Sequence, residues 1–249
     1  MNQKVTAVIP ARMGSRRFSG KVLYPYLGKP LLFYVWNEVR QAKKVDRLLI
    51  ATDQAEVARA AEAFGAETVM TSKRHRTGTD RVAEAVGKTG GDIVINIQAD
   101  NFGLTGALLD RVVATMKRDK KIRCATLAFR VDNDRELFDP DLVKLVINSA
   151  GEALWFSRFP VPFLRDAVDN NRTKQFKFYG HIGVYFFRKS VLDAFAGQRR
   201  TPCEIAESLE QLRVLENGGK MRVFTTRLKI VSVDSPKDLQ KLDKIYNKD

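Results

Sequence analysis

The 249-residue chain has only two cysteines and two histidines. Cys124 and Cys203 belong to no CxxC pair and are too few for a disulfide framework, so they read as buried thiols in a reducing compartment. Zinc-finger spacing is absent as well. No apolar run approaches the roughly 18 residues that cross a bilayer, so no membrane insertion is expected. Met1-Asn2-Gln3-Lys4 leads into a short strand-like run with no signal-peptide apolar region or cleavage site, and a cytoplasmic protein is expected. Internal repeats, low-complexity segments and linkers are lacking too. With 44% hydrophobic and 29% charged residues, the chain reads as a single domain over 1–249.

Positive charge is in excess. Lys and Arg number 43 against 29 Asp and Glu, a formal charge of +14. The basic residues are spread along the chain, with a modest concentration from Lys117 to Arg123, and there is no basic tail or RNP-like aromatic motif. Nucleic acid is therefore not the expected partner, whereas a small anion such as a triphosphate or a sugar acid would be drawn to such a protein.

Strand-like and helix-like stretches alternate through the first half. Lys4 to Pro10, Arg47 to Thr52, Glu67 to Met70 and Asp92 to Gln98 read as buried strands. Helices are expected from Pro30 to about Lys43, Gln54 to Phe64, Thr79 to Lys88 and Leu104 to Lys117. This pattern predicts a three-layer α/β/α fold with a mostly parallel sheet. A β-rich insertion at about 142–190 follows, with a hairpin over 142–148 and 152–157 and a strand from Tyr179 to Phe187. Ile205 to Glu216 reads as one helix, followed by strands over 221–226 and 229–233 and a last helix capped by Ser235-Pro236.

The loop after the first strand, Arg12 to Lys21, carries Gly14 and Gly20 for close backbone approach and Arg12, Arg17 and Lys21 for fixed positive charge. Ligands of open α/β sheets bind at the carboxyl ends of strands, where this loop lies. It lacks the GxxxxGK[ST] of a Walker A loop. Asp100 and Asp234 each follow a buried apolar strand. Each reads as a metal-binding carboxylate, with a turn role as the alternative for Asp100 and a helix-cap role for Asp234.

Ile9-Pro10-Ala11-Arg12 with Gly14-Ser15-Arg16-Arg17, Gly20-Lys21 and Leu27-Gly28-Lys29-Pro30 resembles the start of the sugar nucleotidyltransferases. Ala51-Thr52-Asp53, Gly78-Thr79-Asp80-Arg81, Asn96-Ile97-Gln98-Ala99-Asp100, Phe156-Ser157-Arg158, His181-Ile182-Gly183, the run Glu207 to Arg213, and Val233-Asp234-Ser235-Pro236 follow in order. Together these stretches are similar to the 3-deoxy-manno-octulosonate (Kdo) cytidylyltransferase family over nearly the whole chain. The resemblance implies transfer of CMP from CTP to a 3-deoxy-ulosonic sugar acid with release of pyrophosphate, for lipopolysaccharide or surface-polysaccharide synthesis.

The resemblance also assigns residues. Arg12, Lys21, Asp100 and Asp234 would be catalytic, with Asp100 and Asp234 holding Mg²⁺. Ala11, Arg12, Gly14, Ser15, Arg17, Lys21, Thr52, Asp53, Thr77, Gly78, Thr79, Arg81 and Gln98 would bind the nucleotide. Gln98, Arg158, His181, Tyr185, Glu210 and Gln211 would bind the sugar acid. Read without the family, Gly78 to Arg81 is equally an ordinary helix N-terminus, and Glu210-Gln211 a solvated helix face. A homodimer is implied, with the β-rich insertion as its surface.

The chain departs from the family where Gln98-Ala99-Asp100-Asn101-Phe102 stands for Gln-Gly-Asp-Glu-Pro, and where Thr201-Pro202-Cys203-Glu204 stands for Ser-Pro-Leu-Glu. These changes leave two other readings open: a nucleotidyltransferase for a different sugar acid or nucleotide, or a weakly active relative acting as a binding or regulatory protein.

Overall fold

A computed structural model describes residues 3–14, 18–167, 171–228 and 230–247. The chain divides into two compact units: Met1–Lys120 with Phe186–Ala196 and Leu228–Asp249, and Lys121–Tyr185 with Gly197–Arg227.

The first unit opens with β1 (Val5–Ala11), in which six of seven residues are buried. A two-strand ribbon, β2 (Pro25–Tyr26) and β3 (Lys29–Pro30), turns through Leu27 at φ 43° and Gly28 at φ 75°. Positive φ at both central residues is the type I′ geometry that suits strand twist, and Leu27 bears the strain that Gly28 escapes. Helix α1 (Leu31–Val39) buries Leu31, Leu32, Val35, Trp36 and Val39 along one stripe. Pro30 is its N-cap, and it stops short of the expected Lys43 because the Asp110 carboxylate takes the N–H groups of Lys43 and Lys44 at 2.9 and 2.7 Å.

Then come β4 (Arg47–Thr52), α2 (Ala55–Glu62), β5 (Glu67–Met70), α3 (Gly78–Thr89), β6 (Ile93–Ile97), β7 (Asn101–Phe102) and α4 (Gly106–Arg118). The sheet runs β6-β1-β4-β5 with every pairing parallel. The residues of β6 are all buried, as expected of a parallel strand covered on both faces. Thr77 caps α3 in a box with Asp80, each accepting the other's backbone N–H.

The second unit contains β8 (Cys124–Arg130), α5 (Asp134–Phe138), β9 (Lys144–Ile147), β10 (Ala153–Ser157), α6 (Arg172–Gln175) and β11 (Tyr179–Arg188), the last as far as Tyr185. β9 and β10 form the expected antiparallel hairpin. β8 had no counterpart in the sequence reading; it pairs with β11 and, in parallel, with a later strand, β12 (Arg222–Thr226). Helix α7 (Lys189–Gly197), also unforeseen, returns to the first unit.

The expected helix from Ile205 to Glu216 is two pieces, α8 (Pro202–Glu207) and α9 (Leu212–Glu216), followed by β12 (Arg222–Thr226). Ser208 adopts φ 54° and ends α8, so Glu210 lies in the connecting turn and Gln211 at the N-cap of α9 rather than on a continuous helix face. Across the break Arg213 donates to Glu204 at 2.8 and 2.6 Å, with both residues almost fully buried.

The chain closes in the first unit with β13 (Val231–Ser232), a 3₁₀ turn at Pro236–Asp238 and α10 (Leu239–Tyr246). Ser235 caps this end, as expected, in a box with Asp238. Lys229, the start of the expected strand over 229–233, lies outside the described residues.

Candidate active site

Strands β4, β1 and β6 are neighbours, so their carboxyl ends deliver Asp53, Arg12 and Gln98-Ala99-Asp100 to one edge of the first unit. A crevice at this edge is the general ligand position of open α/β sheets. Arg12 and Gly14 are exposed, and Gly20 N–H closes the loop on the Met13 carbonyl at 3.0 Å. Ser15 and Arg17, both expected at the triphosphate, lie outside the described residues.

Lys21 follows Gly20 in a short 3₁₀ turn and is 7% exposed. Its ammonium donates to Asp100 Oδ2 at 2.8 Å and to the Val233 carbonyl at 2.7 Å, and lies 3.7 Å from Asp234 Oδ1. The two aspartates, far apart in sequence, are brought together by the backbone. β7 pairs antiparallel with β13, Asn101 opposite Ser232, and Val233 N–H donates to the Asp100 carbonyl at 3.2 Å. Asp234 does not cap the following helix: its carboxylate accepts from Ser232 Oγ at 3.1 Å and faces Lys21, while Ser235 and Asp238 form the cap.

Among the described residues no group of three or more His, Cys, Asp or Glu side chains converges as a ready metal cage. Two carboxylates that already share one cation, each side chain about 30% exposed, nevertheless fit a hard divalent ion that completes its shell with phosphate oxygens and water.

The remaining nucleotide residues form a supporting layer. Thr52 is fully buried, its Oγ1 accepting from Gln54 N–H at 3.2 Å. Arg81, 3% exposed, bonds Thr71 Oγ1 and lies 3.3 Å from Asp53 Oδ1, so these two candidates pair with each other. Thr79 Oγ1 accepts from Asn96 Nδ2 at 2.8 Å, and Asn96 Oδ1 accepts from Gln98 Nε2 at 3.1 Å. Asn96 escaped the sequence reading as a site residue, although a lone amide in the otherwise apolar Ile93–Ile97 strand was its signal. Gly78 lies so close to Gln98 that a Cβ there would stand 3.2 Å from Gln98 Oε1 and from Pro10 Cγ. Glycine at 78 therefore lets Gln98 lie against the start of α3.

The candidates for the sugar acid belong to the second unit, apart from Gln98. His181 packs edge-on to Phe156 and beside Tyr185. Burial pulls its pKa down to about 3, so the ring is neutral. The Tyr185 hydroxyl donates to Gln211 Oε1 at 3.1 Å, and its pKa is pushed well up by burial and then by the charge of Glu210. Gln211 is 3% exposed, and its Nε2 is buried without a hydrogen-bond partner among the described residues. Such a donor costs about 1–3 kcal/mol unless a ligand or water accepts from it.

Arg158 is heavily engaged. Its backbone N–H donates to Glu207 Oε2, its Nε to the Glu207 carbonyl and its Nη1 to the Pro140 carbonyl, while its own carbonyl accepts from the buried ammonium of Lys144. Nη2 and one Nη1 hydrogen are what the fork offers a ligand. The structure thus gathers His181, Tyr185 and Gln211 into one cluster and ties Arg158 separately to Glu207.

A mostly parallel sheet flanked by helices, with phosphate-sized basic and acidic groups at its carboxyl edge, is the fold of nucleotide-diphospho-sugar transferases. The cytidylyltransferase family model matches residues 6–230, and the chain belongs to that family. It is 41% identical over 244 residues to the 3-deoxy-manno-octulosonate cytidylyltransferase of Geobacter metallireducens, with 96% of both chains covered. The Geobacter sulfurreducens protein of the same name is 39% identical, with 96% and 97% covered. Among solved structures, a CMP:2-keto-3-deoxy-manno-octonic acid synthetase complexed with CTP superposes with a TM-score of 0.89 at 34% identity, covering 98% of this chain and 99% of that one.

Proposed function

We propose that this chain joins CTP to a 3-deoxy-ulosonic sugar acid of the Kdo class, forming the CMP-sugar and pyrophosphate for lipopolysaccharide or surface-polysaccharide synthesis. The observation that carries the reading is the convergence of Asp100 and Asp234 on the Lys21 ammonium at the carboxyl edge of β1 and β6. A sugar hydroxyl oxygen attacks the α-phosphorus of CTP, the bond from that phosphorus to the bridging oxygen breaks, and pyrophosphate leaves with the electron pair while the hydroxyl proton passes to solvent. Negative charge grows on the leaving group, and preorganised cations stabilise it most.

Arg12 and Lys21 supply such cations, and the loop between them, with Gly14, Ser15 and Arg17, holds the triphosphate. Gln98, positioned by Asn96 and Gly78, contacts the nucleotide or the sugar. Asp100 and Asp234 would hold Mg²⁺, which when bound neutralises phosphate oxygens and makes phosphorus more electrophilic. The orphaned Gln211 amide donor, together with His181, Tyr185, Arg158 and Glu210, supports an acceptor rich in hydroxyls and a carboxylate. No side-chain base is needed, since positioning supplies much of the rate in such transfers.

The departure at 101–102 supports an active enzyme rather than a silent relative. Phe102 is fully buried as core, and Asn101 pairs through its backbone with β13, so Asp100 keeps its place beside Asp234. A cytoplasmic homodimer completes the proposal. Leu154, Phe159, Phe163 and Ile205 in the second unit are each more than half exposed, apolar side chains that a second copy would cover.

The test is pyrophosphate release from CTP, Mg²⁺ and a panel of sugar acids, with ATP, GTP and UTP as controls. Release that requires both CTP and Kdo, or a near variant of it, is expected. Silence with every acceptor alongside intact CTP binding would sink the reading, and sedimentation as a monomer would sink the dimer.

A further inference from the structure

Glu38 lies on α1, and its hydrogen bonds reach none of the residues assigned above to substrate. Its Oε1 accepts from Gly103 N–H at 2.8 Å and from the Tyr246 hydroxyl at 2.5 Å, and its Oε2 accepts from Leu104 N–H at 3.0 Å. Gly103 and Leu104 follow closely on Asp100 and β7, and Tyr246 ends α10, the helix that follows Asp234. One carboxylate thus holds the two chain segments that carry the two aspartates.

The same junction is also bridged by Lys21, which bonds Asp100 and the Val233 carbonyl, and by the Val233 N–H, which donates to the Asp100 carbonyl. β7 and β13 share a ladder of two residues each, too short to be rigid alone. Around Glu38 the docking is firmer. Tyr246 packs against Tyr34 at 4.7 Å and Tyr26 at 6.3 Å, and the Tyr26 hydroxyl donates to Asp243 Oδ1 at 2.7 Å. A half-buried carboxylate that accepts from three donors is costly to install for packing alone: burial raises its pKa to about 7 even though the hydrogen bonds pull it down.

We propose that Glu38 is a positioning residue that sets the separation of Asp100 and Asp234 by clasping the segments behind them. The proposal rests on the reading of those aspartates as the cation-holding pair. Partners behind metal ligands tune affinity by orienting them, and losing one commonly costs about ten-fold or more.

The experiment titrates Mn²⁺ into enzyme with a non-cleavable CTP analogue, reading free Mn²⁺ by electron paramagnetic resonance, for wild type, Glu38→Ala and Tyr246→Phe. In parallel, turnover is measured against Mg²⁺. Glu38→Ala is expected to weaken Mn²⁺ binding roughly ten-fold. It should raise the Mg²⁺ needed for half-maximal rate by a similar factor, with kcat at saturating metal little changed. Tyr246→Phe, which keeps both backbone bonds, should shift the same quantities in the same direction by less, and it carries the test if Glu38→Ala does not fold. Wild-type Mn²⁺ affinity in the folded variants, or a kcat loss at saturating metal with unchanged affinity, overturns the proposal. A wild-type enzyme that turns over without any divalent cation would fail at the level of the underlying reading, and the clasp would fall with it.

Discussion

Thr126 decides which nitrogen of His181 carries the proton. The Thr126 hydroxyl lies 2.8 Å from the Val184 carbonyl and 2.8 Å from His181 Nε2. A carbonyl only accepts, so the single hydroxyl proton goes to Val184, and Nε2 must be the donor to Thr126 Oγ1. His181 is thereby held as the Nε2–H tautomer, and Nδ1 is left as an acceptor. It is suited to a sugar hydroxyl rather than a carboxylate.

The tautomer is directly measurable. Long-range ¹H–¹⁵N spectra of the protein, in which His181 is one of two histidines, should show a protonated Nε2 and a bare Nδ1 unchanged down to about pH 5. An imidazolium forming near pH 6.5 would contradict it. The same burial predicts a stability effect. The unfolded chain takes up this proton near 6.5 and the folded chain only near 3, so stability conferred by the neutral ring falls as pH drops between those values. His181→Phe should flatten that part of the stability profile in urea titrations.

Asp100→Ala and Asp234→Ala should each lower kcat by roughly a hundred- to a thousand-fold, the scale of losing one preorganised electrostatic group at the reacting phosphate. Far-ultraviolet circular dichroism should stay that of the wild type, because the β7–β13 pairing is made by backbone. Wild-type turnover in either variant would remove these residues from the mechanism.

Gly78→Ala puts a methyl 3.2 Å from Gln98 Oε1 and Pro10 Cγ, so Gln98 has to move. Overpacking of this size costs about 1–3 kcal/mol. The expected signature is a KM for CTP raised about ten-fold. In a Gln98→Ala background the same substitution should cost less, since the clash with the amide is gone and only the Pro10 contact remains. Equal costs in both backgrounds would show that displacement of Gln98 is not the cause.

Arg213→Ala removes the buried partner of Glu204, which is 1% exposed, and leaves it the part-exposed Arg200 and the Thr201 N–H; it should destabilise the chain by about 3–5 kcal/mol in urea unfolding. Replacing both residues with well-packed apolar ones should recover most of that loss. Full stability in Arg213→Ala would mean that the Arg200 and Thr201 contacts to Glu204 suffice alone.

Much of the first unit was legible because its strands are apolar runs between clear breaks. Arg47–Thr52 and Glu67–Met70 coincide with their expected ranges, and the carboxyl ends that carry Arg12 and Asp100 followed from them. β8 was not legible. Cys-Ala-Thr-Leu-Ala-Phe-Arg has one β-branched residue and comes directly after the basic run. Its pairing with β11 and β12 is a tertiary choice that overrides weak local preference. Glu38 was invisible for another reason: a charged residue on an amphipathic helix reads as solvated, and only the fold shows two other segments meeting it. The burial of Thr52, Thr79 and Arg81 likewise emerges only when α3 lies against β1, β4 and β6.

The two short helices around Ser208 show how acceptor choice could drift without any change at a residue that touches the acceptor. In one straight helix, positions nine apart face opposite sides and are separated by about 13.5 Å along the axis, so Glu204 and Arg213 could not meet. The break at Ser208 is what lets the pair form, and the pair in turn ties α8 to α9. Glu210 and Gln211 lie in the bend between the two helices. A substitution at Glu204, Ser208 or Arg213 would change that bend and re-aim both side chains, so in comparing relatives with different sugar preferences these three positions carry information that lists of contact residues omit.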